Sequence, residues 1–485
     1  MNRRHFLKCT ASAAVAAGLS GWRCSQEKVQ NPNIIFILAD DMGYGDPQCL
    51  NPESQIPTPN MNRLAEEGMI FTDAHSGSAV CTPTRYGVLT GRYSWRTHLK
   101  SGVLWGYSPM LIDPQRMTVA SLLKKCDYRT ACVGKWHLGL GDDEETDYSG
   151  PLHPGPVDVG FDYFFGIPAS LDMIPYVYVE NDHVVEPPTE TVEEKREGGV
   201  FWRGGPIAPN FEFEDVLPTL TEKAVGFIDD CANESPDQPF FLYFPISAPH
   251  TPWVPTEEFR GKSGAGLYGD FVHQVDHTIG QVLEALDRHN LADNTLVILS
   301  SDNGADERFI EAEDHDANHI YRGQKSDAWD GGHRIPFIAR WPEHVKAGSE
   351  CSKTICLNDL LLTCAAIIDE PVPEVAGEDS YNILPYLLDE TDRSIREATV
   401  HHSVNGTFAI RKGQWKLIFT CGSGGWTKPE ADCEPRDPKW QLYDMKNDVR
   451  EQHNLYNERQ DIVQELDALL KRYKERGRSA PYASL

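Results

Sequence analysis

Two apolar runs in this 485-residue chain end in hard oxygen donors. Residues 34–38 lead into Ala39-Asp40-Asp41-Met42-Gly43, and residues 296–299 lead into Ser300-Ser301-Asp302-Asn303-Gly304. Open α/β folds bind ligands at the carboxyl ends of their strands. A polar pair closing one strand is ordinary turn chemistry, but two such pairs on separate strands favour a cation. Three carboxylates (Asp40, Asp41, Asp302) and the amide oxygen of Asn303 suit Ca²⁺ or Mg²⁺ rather than a soft metal. A third feature is Cys81-Thr82-Pro83-Thr84-Arg85, a cysteine just ahead of a proline suited to a first helical turn. The helix N-terminus and Arg85 would stabilise an anion beside Cys81.

Cys-x-Pro-x-Arg, then four residues, then Thr90-Gly91-Arg92, resembles the signature of the type I sulfatases of the alkaline phosphatase superfamily. The second signature of that family is matched by Asp127-Tyr128-Arg129-Thr130-Ala131-Cys132-Val133-Gly134-Lys135-Trp136-His137-Leu138-Gly139. The likeness runs from about residue 33 to the C-terminus, nearest to the arylsulfatase and N-acetylgalactosamine-6-sulfatase branch. It implies that Cys81 is converted to Cα-formylglycine by a formylglycine-generating maturation enzyme. It further implies that Asp40, Asp41, Asp302 and Asn303, with the converted Cys81, bind a divalent metal, calcium first and magnesium second. Arg85 and Lys135 would hold the converted side chain, with His137 near its hydroxyl. His250, in Ala248-Pro249-His250, and Lys325, in Gly323-Gln324-Lys325, match the sulfate-binding pair. Asp330 stands where relatives commonly have glutamate.

This residue set answers the chemistry of a sulfate monoester, which needs cations for its oxygens, a nucleophile for sulfur and a proton donor for the leaving alkoxide. The expected function is hydrolysis of O-sulfate esters, on a sulfated carbohydrate of galactose type. Two other readings stay open. One is a phosphomonoester or phosphonate-ester hydrolase on the same scaffold, although a two-metal phosphatase needs further His and Asp ligands. The other is a sulfated-sugar-binding protein that has lost catalysis.

The elements that must position these residues read as an α/β fold, a large mostly parallel sheet flanked by helices. Strands are expected at 34–38, 130–133, 240–244 and 296–299, and helices at 60–67, 118–125 and 275–289. From about residue 377 the pattern changes to short strands (408–411, 415–419, 441–444) and a helix at 461–473, which predicts a small antiparallel sheet plus helix. The organisation expected is 1–30 export signal and linker, 31–376 catalytic domain, 377–485 C-terminal α+β subdomain. Residues 181–209, rich in Glu, Pro and Gly, read as a long surface excursion of the kind that shapes pockets. Within it, Trp202 and Arg203 are candidates for sugar contact by stacking and charge, or for anchoring a lid.

With 73 acidic and 45 basic side chains the net charge is −28, which opposes binding to nucleic acid or anionic lipid. An anionic substrate therefore needs a locally basic pocket. Arg3-Arg4-His5-Phe6-Leu7-Lys8 before the Ala/Gly/Ser run 11–21 reads as an export signal of the twin-arginine type, too short to span a bilayer. The expected location is periplasmic or extracellular, with the twin-arginine machinery as a partner, no stable membrane span, and Cys24 not lipidated. Twelve cysteines permit disulfides there, but spacing does not give their pairing. His75, His98, His153 and His315 are expected at the surface or behind the site.

Overall fold

The computed structural model describes residues 31–310, 312 and 314–482. The export-signal residues, Arg3, Arg4, Cys9 and Cys24 among them, lie outside the described residues. A ten-stranded sheet forms the centre, in the order Ser349–Cys351, Met69–Phe71, Phe337–Arg340, Thr295–Ser301, Asn33–Asp40, Phe240–Pro249, Arg129–Lys135, Tyr163–Ile167, Val179–Glu180, His183–Val184. The five strands from Thr295–Ser301 to Tyr163–Ile167 run parallel, and antiparallel pairs continue the sheet on either side.

Every residue of Asn33–Asp40 is buried, as expected for a strand with helices over both sheet faces. Its run of Ile34, Ile35, Phe36, Ile37 and Leu38 supplies apolar side chains to both sides at once. Its neighbours bury all of Thr295–Ser301 and Phe240–Pro249 as well. Each strand expected in this central sheet is present and extends a little further: residues 240–244, for example, continue to Pro249 and bring the strand up to His250. The helix expected at 275–289 is Gly266–Arg288. Its first turns carry Gly266, Gly269 and Asp270, which read as loop chemistry in the sequence. Burial of Tyr268, Phe271 and Val272 against the sheet overrides that preference.

The C-terminal sheet has four antiparallel strands, Thr399–His402, Phe408–Lys412, Trp415–Ile418 and Gln441–Asp444, followed by helix Gln460–Arg476. The first was not expected: four residues buried on both faces show no alternation. Cys421 and Cys433 form a disulfide next to this sheet. The excursion folds into two small hairpin-like pairs, Glu190–Val192 with Gly205–Ile207 and Lys195–Glu197 with Val200–Trp202. Among the described residues no helix is long and apolar enough to cross a membrane.

Candidate functional site

The carboxyl ends of four adjacent parallel strands and one helix N-terminus meet at a single point. Asp40 closes Asn33–Asp40 and Asp41 follows it with φ 67°. That left-handed conformation is uncommon for a residue other than glycine and turns the chain sharply at the sheet edge. Asp302 and Asn303 follow Thr295–Ser301, and the Asp41 amide donates to Asp302 Oδ1 at 3.1 Å, joining the two strand ends. A side chain on Gly304 would place its Cβ 1.8 Å from the Gly331 carbonyl oxygen, so this turn requires glycine. Lys135 ends Arg129–Lys135, with His137 two residues on at φ 53°. His250 follows Phe240–Pro249.

Cys81 is the first residue of helix Cys81–Thr90, all ten residues of which are buried. Arg85 lies one turn on, on the same helix face. Lys325 arrives on the loop before helix Asp330–His333. Its neighbour Ser326 donates its amide to Ala79 O at 2.8 Å, tying that loop to the approach to Cys81.

The charges are paired at close range and out of water. Lys135 donates to Asp40 Oδ2 at 2.6 Å, Lys325 to Asp41 Oδ2 at 2.6 Å and Arg85 to Asp302 Oδ2 at 2.7 Å. Arg85 also stands 3.4 Å from Asp40 Oδ1, and His250 Nε2 stands 3.7 Å from Asp41 Oδ2. Burial opposes ionisation of Asp40, but Lys135, His250 and Arg85 outweigh it and hold that carboxyl far below the usual range. Burial and the adjacent Asp40 charge push Asp302 up to about 7 against the pull of Arg85. Burial also raises the Cys81 thiol to about 11, despite Lys135 and Lys325. Cys81 is thus a protonated thiol at neutral pH and a weak nucleophile as it stands. Burial, then Lys135 and Arg85, depress His137 well below its ordinary value.

The donor set fits a hard cation. Asp40 Oδ1 and Asn303 Oδ1 are buried without a hydrogen-bond partner, although buried oxygens are rarely left so. Asp40, Asp41 and His250 each bring a ligand atom within 4.8 Å of the others.

Cys81, His250 and Lys325 form the floor of a cavity of about 590 Å³. Trp105, Asp172, Arg203, Arg308 and Trp426 line its walls. A larger groove of about 1370 Å³ beside helices Val216–Glu234 and Gly266–Arg288 contains none of the ten sequence-selected residues. Of the excursion pair, Arg203 reaches the cavity, while Trp202 stacks on Phe213 at 4.4 Å and anchors the hairpin instead. Trp105, Asp172, Arg308 and Trp426 were not selected from the sequence. Only Arg308, six residues beyond Asp302, offered a positional signal.

His75 and His315 are both buried. His315 bonds Asp46 Oδ1 at 2.9 Å, behind the turn that carries Asp40 and Asp41. His75 packs with His333 and His401 beneath the C-terminal sheet. His98 and His153 are at the surface.

Residues 32–368 match the family model described as Sulfatase. The chain is 39% identical to N-acetylgalactosamine-6-O-sulfatase of Bacteroides thetaiotaomicron, across 92% of this chain and 94% of that protein. It is 33% identical to human arylsulfatase A, across 91% and 85% respectively. A solved Bacteroides thetaiotaomicron 6S-sulfatase, described in connection with glycosaminoglycan metabolism, superposes with TM-score 0.83 at 37% identity over 92% of this chain and all of that one. A buried set of oxygen donors, cations and a cysteine at a helix start is thus found in a chain that matches this family along most of its length: the protein belongs to the sulfatase family and is a sulfuric ester hydrolase.

Proposed function

We propose that the chain hydrolyses O-sulfate esters of carbohydrates, through a formylglycine made from Cys81 and a Ca²⁺ ion held by Asp40, Asp41, Asp302 and Asn303. The observation that carries this reading is the placement of Cys81 at the cavity floor beside cations and two unpartnered, buried oxygen donors. The similarity to an N-acetylgalactosamine-6-O-sulfatase supports a sulfated sugar of galactose type as substrate.

When in place, the hydrated aldehyde supplies a hydroxyl nucleophile and the cation stabilises negative charge on it and on the ester. The chain's own residues do the rest. Arg85, fixed by Asp302 and the Lys135 carbonyl, orients position 81 through its guanidinium. Lys325 and His250 face the cavity and neutralise the sulfate oxygens, and His250 donates the proton to the departing sugar oxygen. His137 bonds Leu104 O through Nε2 at 2.7 Å, so that nitrogen carries the hydrogen and the unpartnered Nδ1 keeps its lone pair. With its basicity held low it is neutral, and it takes the proton from the second hydroxyl of position 81 as sulfate leaves.

The test is the mass of the tryptic peptide 64–85 from protein expressed with a formylglycine-generating enzyme. Aldehyde in place of thiol, with sulfate release that disappears in Cys81→Ala, supports the reading. Full conversion with no sulfate release from any ester sinks it in favour of a binding protein. Matched aryl esters separate the phosphatase alternative, which prevails if phosphate is released much faster than sulfate. We further infer periplasmic or extracellular location by twin-arginine export. Changing Arg3 and Arg4 to Lys should retain active enzyme in the cytoplasm, and undiminished export would contradict it.

A further inference from the structure

The walls of the cavity carry exposed guanidinium groups in a protein whose net charge is −28. Arg203 is the most constrained of them. Its Nη1 donates to the carbonyl oxygen of Asp172 at 3.0 Å and to the carboxylate of the same residue. Its guanidinium carbon lies 4.8 Å from the Trp105 ring centroid and 4.9 Å from that of Phe201. Asp172 is 5% exposed, so the carboxylate is a buried anchor, while the Arg203 side chain keeps 34% of its surface open. The Arg203 Nε and Nη2 groups have no partner among the described residues. They form one edge of the guanidinium fork, the geometry that takes two oxygens of a carboxylate or a sulfate at once.

The charges behind the site differ from this one. Lys325, Lys135 and Arg85 are each ion-paired with a carboxylate, of Asp41, Asp40 and Asp302 respectively. Arg308 gives both Nε and Nη2 to Asp306, at 2.8 and 2.7 Å, and lies flat on Trp426 at 3.6 Å. Arg203 alone of the two wall arginines held by a buried aspartate leaves a two-nitrogen edge open. Asp172 prevents it from swinging toward the floor, and two aromatic faces fix its plane. Such a group is preorganised for an anion other than the one being cut.

We propose that Arg203, positioned by Asp172 and the rings of Trp105 and Phe201, binds a second oxyanion of the substrate, so the preferred ester is a glycan carrying a carboxylate or a further sulfate near the scissile group. This rests on the sulfatase reading above and adds a specificity-determining residue to it. Asp172 is a positioning residue.

The experiment compares three substrates with the converted holoenzyme at low ionic strength: a monosulfated methyl glycoside, the same sugar joined to a uronic acid, and the same sugar bearing a second sulfate. Hydrogen bonds to charged groups predict that wild type favours one of the two dianionic substrates by about 10- to 100-fold in kcat/KM, chiefly through KM. The uronate and second-sulfate arms tell which oxyanion is read. In Arg203→Gln that preference should fall below about twofold, and added salt should erode it in wild type but not in the variant. Because Arg203→Gln leaves Asp172 buried without its partner, the double variant Asp172→Asn/Arg203→Gln is measured alongside it and decides if the single variant melts early. An absent preference in wild type overturns the proposal, as does a preference retained in both variants or an equal loss on all three substrates. Failure of the sulfatase reading itself looks different: wild type then leaves even the monosulfated glycoside intact.

Discussion

The roles proposed for His137 and Asp302 are separable, and each can be tested alone. If His137 is the proposed proton acceptor, His137→Ala leaves His250 and Lys325 in place, so kcat should fall by about 10²- to 10⁴-fold with KM little changed. Steady-state kinetics check this, and a change confined to KM would instead make His137 a binding residue. The Asp40 charge helps raise Asp302 in the buried site, and a divalent ion bound as proposed would relieve that repulsion. Calcium at about 100 times its dissociation constant should therefore stabilise the fold by about 2.7 kcal/mol, read as a rise in the thermal midpoint that EGTA reverses. That the residues proposed as metal ligands and nucleophile come together was legible in the sequence because each sits directly after a strand or at a helix start. Trp105 and Asp172 were not legible: they reach the cavity from loops whose paths depend on distant packing. Arg203 could be singled out only as a charge in an excursion, with nothing to say that Trp202 beside it would turn the other way.

Each face of the C-terminal sheet has its own task. Val400, Ile410, Leu417 and Leu442 bury against Leu466, Leu469 and Leu470 of helix Gln460–Arg476. The opposite face puts Ala409, Ile418 and Tyr443 on Ala328 and Trp329, in the loop that brings Lys325 to the cavity. The short strands at 408–411 and 415–419 predicted a small antiparallel sheet, but not that both of its faces would be covered. Lys416 lies within this joint, fully buried, 2.7 Å from Asp330 and 2.8 Å from Glu451. Lys416→Ala would strand two carboxylates and should cost about 3–5 kcal/mol in urea unfolding. Lys416→Met should lose activity on the same grounds, since the loop behind Lys325 loses its tether.

The same joint holds His75, His333 and His401. His75 Nδ1 meets His333 Nδ1 at 3.0 Å, and the His333 and His401 rings stack at 3.9 Å. His75 Nε2 lies 3.0 Å from Asp73 Oδ1, an acceptor, and 3.1 Å from Arg411 Nη1. Burial lowers His75 to about 4 and holds His333 and His401 well below their usual value, with Asp73, Asp330, Arg334, Arg411 and Lys416 around them. Above about pH 6.5 the rings are neutral in folded and unfolded chains alike. Below it the unfolded chain takes up protons that the folded one refuses. Stability should therefore fall as pH drops from 6.5 toward 4, by up to about 1.4 kcal/mol per pH unit for each ring. Urea midpoints at pH 7.5 and 5.0 measure the slope, which His401→Gln should reduce.

Across the whole molecule, the site draws on parts of the chain that are far apart in sequence. The Ala79 amide bonds the carbonyl of His402, and the Val404 amide bonds that of Ser326, so the approach to Cys81 is closed by residues more than three hundred positions later. The overall fold class could be read from the parallel-strand pattern, whereas these long-range closures leave no local trace. Cys81 is 2% exposed once the fold is complete. Under the proposed conversion of Cys81, a modifying enzyme would have to reach this side chain before the surrounding strands assemble. The window opens when position 81 emerges from the ribosome and narrows as the roughly 400 residues after it are made, about 20–80 s at ordinary synthesis rates. Slower folding, or slower translation of the C-terminal quarter, should therefore raise the converted fraction, making catalytic competence a race between modification and burial.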